Sequence, residues 1–170
     1  CRDRVSRDLD ALLDALTEND PETRASMLAS VDTDGASASV VNLLTSAAQQ
    51  EAGDTASAAQ SLADLATNPD VPQIYRDLAA FKSALLAAQD GDAGTRRQSL
   101  EGLAVPGQPF RLLAQEQLAL IDIEAGETDS AIATLNGIVE DADVTRGLRD
   151  RAQSLIVALG GELNEAPAAE

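Results

Sequence analysis

The sequence predicts an all-α fold, a helical-repeat solenoid of about 8–9 helices in antiparallel pairs. Composition is the first reason. Against 32 Ala and 23 Leu stand only 9 Val and 6 Ile, so strong helix formers dominate and the β-branched residues favoured in strands are scarce. Self-similarity is the second. Glu51-Ala52-Gly53-Asp54-Thr55-Ala56-Ser57-Ala58 matches Glu124-Ala125-Gly126-Glu127-Thr128-Asp129-Ser130-Ala131 at an offset of 73 residues. At that offset, without a gap, Leu62 falls on Leu135, Asp70-Val71 on Asp143-Val144, Arg76-Asp77 on Arg149-Asp150, and Ala79 on Ala152. The third reason is the period. A weaker copy places Gly91-Asp92 in the turn, and the turn glycines Gly53, Gly91 and Gly126 lie 38 and 35 residues apart.

Taken in order, the first helix runs from about Arg4 to Glu18, with Val5, Leu9, Leu12, Leu13 and Leu16 at helical spacing on one face. Asn19-Asp20-Pro21 ends it and starts the next, because Asp20 suits an N-cap and Pro21 the first helical position. That short helix reaches about Val31, with Met27, Leu28 and Val31 as its apolar side. Asp32-Thr33-Asp34-Gly35 is a turn, and a longer helix follows from about Ala36 to Ala52. Residues 1–35 thus form N-terminal helices, 36–160 the repeats, and 161–170, which has little to bury, a tail.

Within the repeats each recurring residue has a physical reason. Gly53, Gly91 and Gly126 take the left-handed conformation that ends the first helix of a pair. Asp54, Asp92 and Glu127 then stand at the start of the second helix, where the macrodipole favours negative charge. Ala58 and Ala131 are small where helices approach closely. Leu62 and Leu65, Leu100 and Leu103, and Leu135 with Ile138 supply the inward stripes. Tyr75-Arg76-x-x-Ala79, Phe110-Arg111-x-x-Ala114 and Leu148-Arg149-x-x-Ala152 open successive units.

Two readings stand for that landmark. Arg76, Arg111 and Arg149 either bridge adjacent repeats through ion pairs or carbonyl contacts, or form a row that reads a partner's carboxylates. Tyr75, Phe110 and Phe81, which are the chain's whole complement of Tyr and Phe, either fill the core or anchor a partner in a groove. Such a groove would lie on the first helices, around Tyr75, Leu78, Phe110, Leu113 and Leu148.

Charge and missing residue types narrow the function. With 12 Lys+Arg against 29 Asp+Glu the chain carries −17, which disfavours nucleic acid and anionic lipid headgroups. It has no His and one Cys, so a His-based triad, an imidazole metal ligand and a Cys-cluster zinc site are excluded. Ser30-x-Asp32-x-Asp34-Gly35 opens like a calcium loop, but Val41 stands where the bidentate Glu is required. Gly91-Asp92-Ala93-Gly94-Thr95 lacks the Lys of a phosphate loop. The lone Lys82 has no Ser three residues before it and suits a surface ion pair. Neither cofactor nor metal is expected. The longest uncharged run, Gly35 to Gln50, is 16 residues and polar in places, short of the roughly 20 apolar residues of a membrane span.

Ala125-Gly126-Glu127-Thr128-Asp129-Ser130-Ala131-Ile132-Ala133-Thr134-Leu135 resembles the middle of a tetratricopeptide repeat. Two positions depart from that pattern: Asp122 replaces a usual aromatic, and Arg96 replaces the small second-helix residue in the middle copy. A closer resemblance spans about residues 4 to 163. Tyr75-Arg76-Asp77-Leu78-Ala79-Ala80, Leu103-Ala104-Val105-Pro106-Gly107-Gln108-Pro109-Phe110-Arg111, Leu118-Ala119-Leu120 with Glu124-Ala125-Gly126, and Leu148-Arg149-Asp150-Arg151-Ala152-Gln153 resemble the tetratricopeptide-like periplasmic domain of the ancillary SecYEG translocon subunit family, alphaproteobacterial type. The resemblance implies an inner-membrane protein with one N-terminal span before Cys1 and a domain facing the periplasm. Its partners would be translocon subunits, periplasmic chaperones or exported chains.

The function expected is therefore a non-enzymatic protein–protein interaction scaffold. Two alternatives stay open: an envelope lipoprotein repeat domain acylated at Cys1, and a regulatory binding module of a larger enzyme.

Overall fold

The computed structural model describes residues 2–33, 35–90 and 93–163. The turn residues Gly91 and Asp92, together with Cys1, Asp34 and residues 164–170, lie outside them. Among the described residues there are nine helices and no strand, so the fold is all-α. The chain divides into two compact units, residues 1–91 and 92–170. The helices before residue 35 share a core with the helix that follows.

The first unit holds α1 (Arg2–Thr17), α2 (Pro21–Ala29), α3 (Gly35–Glu51), α4 (Thr55–Thr67) and α5 (Gln73–Asp90). Each packs on the next: α1 on α2, α2 on α3, α3 on α4 and α4 on α5. One core cluster joins Ala15 of α1, Ala25 and Leu28 of α2, and Ala48 of α3. A second joins Ala58, Leu62 and Leu65 of α4 with Ala79 and Leu86 of α5. Arg24 of α2 and Glu51 of α3 form an ion pair across their helices.

Only part of the apolar face of α1 turns inward. Its inward side is Leu12 and Ala15, while Leu9, Leu13 and Leu16 are 53%, 52% and 46% exposed. Leu9, Leu12, Leu13 and Leu16 span a wide arc of the helix, of which Leu12 lies on the packed edge, and the Val5 side chain lies outside the described residues.

The second unit holds α6 (Ala93–Leu103), α7 (Arg111–Glu124), α8 (Thr128–Glu140) and α9 (Arg146–Ala158), again each packed on the next. Its core joins Ala119 of α7, Ala131, Leu135 and Ile138 of α8, Val144 of the following loop, and Leu148, Ala152 and Ile156 of α9. Leu100 and Leu103 of α6 are buried, and Leu118 is half-buried.

Helix ends follow from a few residues. Asp20 caps α2 by accepting from the Thr23 amide at 2.8 Å, with Pro21 following. Asp54 caps α4 through the Ser57 amide at 3.0 Å. The Ser57 side chain, and after it the Ser57 amide, hold the Asp54 carboxyl below the usual carboxylate range by hydrogen bonding. Glu127 occupies the same position before α8 yet makes no side-chain cap bond, since the shorter Asp is the preferred capping residue.

The preceding glycines close a double hydrogen bond. The Glu127 amide donates to Asp122 O at 2.8 Å and the Gly126 amide to Ile123 O at 3.0 Å, with Gly126 at φ 78°. Gly53 repeats this geometry, and so does Gly160 after α9, where the Gly161 amide reaches Ile156 O at 2.9 Å. Gly126→Ala should therefore cost about 1 kcal/mol although open space surrounds the missing Cβ, because the penalty lies in the backbone conformation. Urea unfolding followed by circular dichroism checks this. Asn at the same position should recover part of the loss.

Candidate protein-binding groove

In the second unit α7 and α9 flank a seam with two cavities along it. The first, about 680 Å³, is walled by Leu112 and Leu113 of α7, Leu148 of α9 and the Pro106–Pro109 loop, with Arg111 and Thr145 at its rim. The second, about 520 Å³, lies further along, against Gln117 and Leu120 of α7 and Ser154 and Leu155 of α9. Leu113, Gln117 and Leu120 recur at i, i+4 and i+7, so one face of α7 lines both cavities. Leu148, Arg151 and Leu155 do the same for α9.

The polar groups of this seam are largely committed to one another. Arg151 grips Glu116 through two hydrogen bonds, from Nε at 2.8 Å and from Nη2 at 2.9 Å. The Glu116 side chain is buried, and this fork joins the two helices across the groove. Hydrogen bonding to Glu116 raises the Arg151 pKa further above its ordinary value. At the first cavity, Arg111 donates to Asp141 at 2.8 Å and stands 3.8 Å from Asp143. That bond, together with the Asp143 amide, holds Asp141 below the usual carboxylate range.

A separate polar seam lies between α6 and α8 over α7. Asp122, almost fully buried, accepts from Arg97 and takes the Ser130 hydroxyl at 2.7 Å. Burial pushes its carboxyl up, but the Arg97 and Ser130 hydrogen bonds outweigh burial and leave it below the ordinary value. These two partners account for a carboxylate buried at residue 122. Arg96 is likewise buried at its unusual position and reaches Glu124, while its Nε has no hydrogen-bond partner.

The three landmark arginines hold different partners. Arg76 donates to Gln73 within its own helix, Arg111 bridges α7 to the loop after α8, and Arg149 reaches the Val139 carbonyl at 3.4 Å. Of the groove residues, Arg111, Leu113 and Leu148 come together at the first cavity. Phe110 is half-buried at the N-cap of α7, and Arg149 is exposed on α9. Tyr75 and Arg76 belong to α5 in the first unit. The Glu116–Arg151 fork is absent from the sequence reading. The offset of 73 residues pairs Arg151 with Leu78, so the repeat register gives no signal for it.

Among the described residues no cluster of three or more His, Cys, Asp or Glu is placed to hold a metal ion. No described helix is long and apolar enough to cross a membrane. No family model, curated protein or solved structure matches the chain.

Proposed function

We propose that the chain is a non-enzymatic protein-binding scaffold whose α7–α9 groove receives an extended segment of a partner protein. The observation that carries this reading is the pair of aligned cavities with leucine walls, whose charged groups are already paired with one another. Such a seam offers pockets for alternate apolar side chains and a rigid fork between them, with little left over to drive chemistry. The motifs quoted above extend the proposal: a periplasm-facing domain of a single-span inner-membrane protein, working beside the SecYEG translocon with periplasmic chaperones.

Site-specific crosslinking in cells tests both levels. A photoreactive residue at Leu113 or Gln117 of the full-length protein should capture translocon subunits, periplasmic chaperones or exported chains. Capture of none of these from either position, while a known translocon contact crosslinks in parallel, would overturn the translocon reading. An upstream gene sequence without an apolar run of about 20 residues would overturn the anchored arrangement.

A further inference from the structure

We infer that the outer face of α1 is a second docking surface, independent of the α7–α9 groove, and that its occupant is an amphipathic helix of another protein whose apolar stripe is flanked by Lys or Arg. Leu9, Leu13 and Leu16 lie at i, i+4 and i+7 and are each about half exposed, forming a leucine line roughly 10 Å long. The opposite side of α1 is already used, since Leu12 and Ala15 pack into the core with Ala25, Leu28 and Ala48.

Three leucines in line have the spacing by which one helix receives another.

Charge selects among occupants. Asp10 and Asp14 are exposed and border the stripe one residue beyond Leu9 and Leu13. The arginines of α1, Arg2, Arg4 and Arg7, all precede the leucine line, and from Asp8 to Asp20 the sequence has Asp8, Asp10, Asp14, Glu18 and Asp20 with no Lys or Arg. A second copy would set the same carboxylates against these in a chain already at −17. An anionic bilayer would be repelled in the same way. A basic amphipathic helix satisfies both the leucines and their rim.

The test uses the full chain and two fluorescent synthetic peptides with the same leucine stripe, one with Lys and one with Glu at every flanking position. The Lys peptide should bind, more weakly as salt rises from roughly 0.05 to 0.5 M, and the Glu peptide should not. Leu9→Gln with Leu13→Gln should weaken binding by about tenfold or more, whereas Leu163→Gln, at another exposed leucine, should leave it unchanged. Asp10→Lys with Asp14→Lys should reverse the preference between peptides. All these positions are exposed, so unchanged circular dichroism certifies the fold of each variant. Equal binding of both peptides, or of the Leu9/Leu13 variant, would overturn the inference. So would self-association abolished by Leu13→Gln, or binding of the unaltered chain to phosphatidylglycerol vesicles through the same leucines.

Discussion

Leu135→Ala should lower the unfolding free energy by about 3 kcal/mol. Leu135 is fully buried at the centre of the second unit's core, in the cluster that contains Ala119, Ala131 and Ala152. Those alanines already bring helix backbones close, so the helices have little room to collapse into the cavity left by the lost isobutyl group. Urea unfolding read by circular dichroism should show a lower midpoint with an unchanged slope, and hydrogen exchange should quicken in α8. Leu16→Ala, on the exposed face of α1, should cost less than about 0.5 kcal/mol. Equal losses for the two leucines would contradict the packing described.

Arg97→Met should cost about 2 kcal/mol, because it strands the buried Asp122 carboxylate with only the Ser130 hydroxyl. The figure is set below that for a fully buried pair because the Arg97 side chain is 35% exposed and partly screened by solvent. Asp122→Asn in the Arg97→Met background should recover much of the loss, since it removes the unpaired charge, and a double-mutant cycle measures the coupling. The pH dependence follows from the sign of the shift. Asp122 has a lower pKa folded than unfolded, so its contribution is fully present above the unfolded value of about 3.9. It is lost as pH falls through the folded value. Acid titration of Arg97→Met should lack this component, and an unchanged acid limb would contradict the pairing.

Much of the helical framework was legible in local sequence because its determinants are local. Asp20-Pro21 marks the start of α2, and Gly53 and Gly126 end α3 and α7 at positive φ. The first three helices lie within two residues of their expected limits. Gly160 uses the same double hydrogen bond and continues the turn spacing, 34 residues after Gly126, although the 73-residue offset pairs it with Ala87. The groove was legible only in part. Arg111, Leu113 and Leu148 come from the landmark that opens each unit, whereas the Pro106–Pro109 wall and the Glu116–Arg151 fork depend on how α7 and α9 face each other.

The sequence by itself determined that the chain is helical, where many of its turns fall, and that alanine would stand at close approaches, because propensity, glycine conformation and side-chain size act over a few residues. Tertiary structure alone decided which edge of α1 turns inward, why Asp122 and Arg96 are tolerated inside, and that leucines line a seam between α7 and α9. Each of those depends on what a distant segment brings to the same place. A broad apolar arc does not choose its own neighbour, and a buried charge is stable only where another helix supplies its partner.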